Sequence, residues 1–246
     1  NLLNNSSSKV FFGIGTIIKE AKKYYSNSDE VIIFGSGVRS EEITILNNVN
    51  IIFVRGPLSA KVLGVPHKYI TDPAILTPDV FKITDSEKVK KWEFSYMPHF
   101  SSSNDKYKKV FNSLGINYIN PMDDVEKIIK EINQTKILLT EAMHGAIVAD
   151  AYRVQWIPVK SYESFNYFKW KDWALSNKLD IHINVIPRFY KNDNRFKFFL
   201  KRILFNIKMN KIKKTKPYLS SNDEFKKNTV KIKRAIKEFK KEYETN

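Results

Sequence analysis

The residues best placed for chemistry lie in the stretch KILLTEAMHGAIVADAY, residues 136–152. Ile137, Leu138 and Leu139 read as a buried strand, and the sequence from Ala146 onward reads as a helix without a breaker. Glu141, His144 and Gly145 therefore fall where strand hands over to helix. In an open α/β sheet that is the carboxyl edge, where ligands bind and the first helical N–H groups carry partial positive charge. An imidazole there can face an anion, and a glycine beside it admits close approach to the backbone. The structural alternative for His144 is a helix cap or a satisfied polar group.

Other candidates stand at similar places. Arg55 follows the apolar run 51–54 and precedes Pro57, which suits the first position of a helix ending at Gly64. A guanidinium there can clamp a carboxylate or phosphate in bidentate fashion, or pair with an acid such as Asp72. Gly35, Ser36 and Gly37 close another apolar run and would leave backbone N–H groups at the sheet edge. His99 follows Pro98 at the end of a further strand, as a turn residue or as a second imidazole. GIG, GSG and VRG are neither a full dinucleotide fingerprint nor a P-loop, and no GxSxG elbow is present. With no HExxH and no carboxylate cluster at ligand spacing, no metal is expected.

The elements that must carry these residues alternate. Strands are expected at 10–12, 31–34 and 51–54, with helices over 17–25 and 57–63. After a connector at 77–86 the pattern restarts, with strands at 94–97, 116–119, 137–139 and 155–159 and helices over 105–114 and 123–132. This predicts an α/β fold of two Rossmann-like lobes facing a cleft: 1–78, 79–187 with the His144 segment, and a basic helical tail over 188–246.

The 246 residues include no cysteine, which excludes disulfides and Cys-based metal sites, and no apolar run is long enough to span a bilayer. The chain opens on NLLNNSSS without a Met, so further residues are expected upstream. Net charge is +16, and residues 188–216 hold eleven Lys or Arg against one Asp. Within that segment Phe196, Phe199, Leu200, Ile203 and Ile207 share one face of a helix. Such a basic amphipathic helix can lie on an anionic membrane surface, or its apolar face can pack on the second lobe. Because the charge avoids the α/β body and no nucleic-acid module is recognisable, nucleic acid is not an expected partner. Trp170 and Trp173, three apart, are expected in the core rather than stacked on a sugar.

Taken in order, GIGT (13–16), GSGV (35–38), VRGPLSAKVLG (54–64), DPA (72–74), PH (98–99), the Pro121…Asp124-Val125-Glu126 spacing, TEAMHGAIVADAY (140–152), WIPV (156–159) and KWKDW (169–173) resemble the polysaccharide pyruvyl transferase family over roughly residues 9–180. Members often carry Ser or Arg and then Leu before the His, where this chain has Ala142 and Met143. The resemblance implies two lobes similar to the B-type glycosyltransferases. It implies transfer of pyruvate from phosphoenolpyruvate to two hydroxyls of a sugar, forming a cyclic ketal, with no cofactor. On that footing Arg55 is expected to clamp the donor and His144 to bind phosphate and protonate the vinyl carbon. Glu141 or Asp72 would accept a hydroxyl proton, and Gly35, Ser36, Gly37, His99 and Gly145 would line the substrate. The acceptor is expected to be a bacterial polysaccharide precursor, lipid-linked at the inner face of the cytoplasmic membrane or nucleotide-linked. A nucleotide-sugar glycosyltransferase of the same two-lobe fold is the alternative.

Overall fold

Val31, Ile32, Ile33 and Phe34 are all buried, although successive side chains of a strand point to opposite faces. A strand apolar on both faces needs cover on both, which is the situation of a parallel sheet between helical layers. The computed structural model describes residues 9–18, 30–41, 49–189 and 194–244. The expected helix over 17–25 lies, after Ile18, outside them.

The chain forms two compact units, one from the described residues of Asn1–Leu76, Asn166–Asp180 and Ser220–Asn246, the other from Thr77–Phe165 and Ile181–Leu219. In the first, β1 (Lys9–Phe12), β2 (Glu30–Phe34) and β3 (Val49–Phe53) form a parallel sheet in that order. Ile33, Ile51 and Val54 pack toward α1 (Pro57–Val62) with Ala60 and Leu63. Ile32, Phe34 and Phe53 pack instead against Ile232 and Phe239 of α8 (Asn222–Glu244). Between β3 and the second unit, a short 3-10 turn covers Pro73–Leu76.

The second unit starts with α2 (Thr77–Val80) and a 3-10 turn at Asp85–Lys88, so the expected connector carries helical turns. Then follow β4 (Trp92–Met97), α3 (Asp105–Asn112), β5 (Asn117–Tyr118), α4 (Val125–Asn133), β6 (Thr135–Thr140), α5 (Met143–Ala151) and β7 (Gln155–Lys160). The chain visits the first unit as α6 (Tyr167–Ser176) and returns as β8 (Asn184–Val185) and α7 (Arg195–Ile212). All five strands are parallel, in the order β5-β4-β6-β7-β8. The core centres on Tyr96 stacked on Phe111, with Leu139, Ile157 and Phe205.

The units differ from the expected division at 78 and 187. Trp170 and Trp173 of α6 are buried, and this helix belongs to the first unit through Asp172. Nor do the described residues of 188–246 form a separate tail: Phe205, Met209 and Ile212 of α7 enter the second core, while α8 closes one face of the first sheet.

Candidate active site

In the second sheet β4 is the first strand, β5 adds on one side of it and β6 on the other. The connections leave β4 and β6 in opposite directions, which makes the carboxyl ends of this strand pair a topological switch point. Ligands of doubly wound sheets bind at such switch points. Met97-Pro98-His99 ends β4, and Thr140-Glu141-Ala142 joins β6 to α5. His99, Glu141 and His144, singled out separately in the sequence, thus converge on one strand pair.

Glu141 is fully buried. Its Oε2 accepts from the backbone N–H of His99 at 3.1 Å and from the Ser102 hydroxyl, which ties the turn after β4 to the end of β6. Its Oε1 is buried with no hydrogen bond, as are the Tyr96 hydroxyl and Ser161 Oγ at the end of β7. Tyr96 approaches Glu141 but falls short of hydrogen-bond geometry. Burial first, and then the Glu141 charge, pushes the Tyr96 and Tyr162 phenols up; Tyr107 and Tyr118 rise mainly through burial, with a smaller contribution from the same charge. These tyrosines remain neutral donors beside one carboxylate. The result is a polar nest with hydrogen-bonding capacity in reserve, since orphaned buried polar atoms are unusual in proteins.

His99 is half-buried, with Nδ1 2.7 Å from Ser101 Oγ and its ring 5.3 Å from that of Tyr162. His144 is exposed on the first turn of α5, and no side chain caps that helix. Gly145 differs from the expectation of an opening for a ligand. A Cβ there would lie 2.7 Å from Thr140 Oγ1 and 2.9 Å from Met97 Sδ. The glycine is required so that α5 can sit tightly on β4 and β6, which brings His144 to the strand ends.

The candidates of the first unit are placed differently. Arg55 is fully buried: Nη2 is 3.1 Å from Asp172 Oδ2, Nε donates to the same oxygen, Nη1 donates to Thr16 Oγ1 and Nη2 to the Val38 carbonyl. Its acid is therefore Asp172 rather than Asp72, and the guanidinium is not open to a ligand. Asp172 Oδ1 accepts from the N–H groups of Leu58 and Ser59, capping α1, while Oδ2 also accepts from Ser59 Oγ. The VRGPLSA and KWKDW segments are thus two halves of one buried ion pair.

Gly35, Ser36 and Gly37 are buried around this pair. A Cβ on Gly37 would lie 2.4 Å from the Arg55 guanidinium. One on Gly35, whose φ is +98°, would meet Pro73 Cγ at 2.2 Å. Both glycines serve packing, whereas Ser36 Oγ is buried without a hydrogen bond. Asp72 is also buried, its Oδ1 accepting from Ala74 N at the head of the 3-10 turn. Two further basic residues, Arg39 and Lys169, lie near this pair. Burial pulls the Lys169 ammonium below its usual range, and the charges of Arg55 and Arg39 pull it further.

Sequence reasoning missed Asp172, which lies 117 residues from Arg55 and inside a helix. It also missed the tyrosine nest, because each tyrosine reads separately as core. Among the described residues no cluster of acids or histidines could hold a metal ion.

A family model described as polysaccharide pyruvyl transferase matches residues 6–164. A similar curated protein is the succinoglycan biosynthesis protein ExoV of Rhizobium meliloti (strain 1021), 34% identical over 167 residues that cover 66% of this chain and 52% of that protein. The chain thus spans about half the length of this relative.

Proposed function

The chain belongs to the polysaccharide pyruvyl transferase family, and from that premise we propose that it transfers pyruvate from phosphoenolpyruvate to two hydroxyls of a sugar in a bacterial polysaccharide precursor. The observation that carries the reading is the convergence of His99, Glu141 and His144 at the switch point between β4 and β6. Phosphoenolpyruvate brings a phosphate and a carboxylate, and an imidazole on an uncapped first helical turn is suited to an anion.

In this reading His144 binds the phosphate and delivers a proton to the methylene carbon of the donor, making the neighbouring carbon electrophilic. One sugar hydroxyl adds there and returns its proton to the imidazole, inorganic phosphate leaves with the C–O bond electrons, and the second hydroxyl closes the ketal as its proton passes to the departing phosphate. Glu141 acts as a positioning residue: it has no exposed surface, and its Oε2 fixes the turn that presents His99. Arg55 contributes through Asp172, by holding the loops after β2 and β3 in place. The two-lobed architecture of the B-type glycosyltransferases and a lipid-linked acceptor belong to the same reading; the observation that carries it lies in the second unit.

The test incubates the full chain with phosphoenolpyruvate and a panel of saccharide acceptors, following phosphate release and the mass of the acceptor. A pyruvate ketal is expected, and His144→Ala should lower the rate ~10²–10⁴-fold, the range for loss of a general acid, with the fold retained. Near-wild-type turnover by that variant removes His144 from the mechanism. Stabilisation by nucleotide sugars and not by phosphoenolpyruvate would move the chain to the glycosyltransferase reading.

A further inference from the structure

Helix α7 is apolar on two opposite sides. At about 100° per residue, Phe198, Phe205, Met209 and Ile212 fall on one side, and that side packs into the second core. Phe196, Phe199, Leu200, Ile203, Leu204 and Ile207 fall on the other, and all six are 44% to 70% exposed. The alternative that the face of Phe196, Phe199, Leu200, Ile203 and Ile207 packs on the second lobe is therefore not met, because a different set of residues fills that role. Single exposed apolar residues need no explanation, but six along one helix form a patch that does.

The borders of the patch say what covers it. Arg195 and Arg202 run along one margin and Lys197, Lys208 and Lys211 along the other, so cations flank the stripe on both sides. The helix holds six basic residues and no acid, and Lys213, Lys214 and Lys216 follow it directly. A second copy of the chain would bring two such helices face to face at a net charge of +16 each, which disfavours self-association. A nucleic acid would answer the cations and leave the phenylalanines in water. A bilayer with anionic headgroups satisfies both, since apolar side chains enter the acyl boundary while Lys and Arg stems reach back to the phosphates.

We propose that α7 is a membrane-surface helix that docks the protein on an anionic bilayer through its exposed stripe. The stripe from Phe196 to Ile207 is about 18 Å long, too short to cross the roughly 30 Å hydrocarbon core, and no helix among the described residues is long and apolar enough to do so. The helix therefore lies in the surface plane. Its inner side is fixed to the second core, so the fold holds the stripe outward with no ordering to be done on binding. This goes beyond the proposed chemistry and does not depend on it.

The experiment is flotation of the full chain with vesicles of phosphatidylcholine alone and of phosphatidylcholine with phosphatidylglycerol, at low and high salt. The wild-type chain should float with anionic vesicles, less with neutral ones, and less at high salt. Phe199→Ser/Ile203→Ser keeps every charge and alters only exposed positions. It should lower the partition coefficient about tenfold or more while leaving the circular dichroism spectrum and melting temperature unchanged. Flotation of this variant equal to wild type, or no flotation of wild type at low salt, overturns the proposal. So does a concentration-dependent dimer, or DNA binding, that the double substitution abolishes. No arm uses phosphoenolpyruvate, so failure here leaves the proposed reaction standing, and failure of the reaction leaves this result readable.

Discussion

Asp172 of the first unit and Glu141 of the second are both fully buried carboxylates beside the carboxyl ends of parallel strands. Asp172 is saturated. Its two oxygens take the Arg55 guanidinium, two backbone N–H groups and the Ser59 hydroxyl. Among the described residues no cation pairs with Glu141, which uses one oxygen and leaves the other without a hydrogen bond, near the Tyr96 hydroxyl. A buried polar group that is fully matched fixes a loop. One that is half matched costs stability and is retained where something else benefits. The difference separates scaffold from site more sharply than residue type, since by type alone Arg55 is the stronger anion ligand.

The largest effect is expected at the saturated pair. Asp172→Ala strands a buried guanidinium and uncaps α1, and should cost ~3–5 kcal/mol. Amide hydrogen exchange in β2 and β3 would register it as lost protection, with the second unit unchanged. Arg55→Met/Asp172→Leu removes both charges and should recover much of the loss. If Asp172→Ala is nearly neutral, the pair is not what organises these loops.

A smaller structural effect and a distinct electrostatic one are expected at Glu141→Gln. The isosteric amide can keep one acceptor, so the loss should be ~1–2 kcal/mol, the scale of a charged hydrogen bond weakened but not deleted. The sharper readout is Tyr118, whose phenol is held up mainly by burial and in smaller part by the Glu141 charge. Removing the charge should let that phenol ionise at lower pH in an absorbance or NMR titration. A tyrosine titration identical to wild type would mean that Glu141 does not act on that phenol.

Much of the second unit was legible because its strands end abruptly in Pro-His and Thr-Glu, and apolar runs between turn residues are strong signals. The meeting of His99 with Glu141 was implicit in strand order, which a single sequence does not give. Arg55 shows why its role was not legible. Strand-end arginine followed by a helix start is the same pattern whether its partner is a ligand or an aspartate in a distant helix. Asp172 in turn looks like any charge on an amphipathic helix, between Lys171 and Trp173. In α7 the period of 3.6 fits both Phe196-Phe199-Ile203 and Phe198-Phe205-Met209. Periodicity shows that a face exists and does not say which of two faces meets the core.

Glu87 extends the comparison to a carboxylate that is well paired and only partly buried, and its effect should be the smallest. Its Oε2 accepts from the Thr84 backbone N–H at 3.1 Å and from the Thr84 hydroxyl, the Thr84 side chain accepts from the Glu87 backbone N–H to complete a capping box, and Lys130 Nζ lies 3.0 Å from Oε1. The Thr84 backbone bond first, then Lys130, pull its carboxyl from 4.5 to about 2. With the folded value depressed, the contribution is fully present above pH 4.5 and is lost as pH falls through about 2. Glu87→Gln should therefore melt below wild type at neutral pH, with the gap closing as pH falls through that window and shrinking in high salt. A gap that is the same at pH 2 and pH 6, or is insensitive to salt, would assign the difference to packing and leave pairing, without full burial, as no measure of a carboxylate's structural weight.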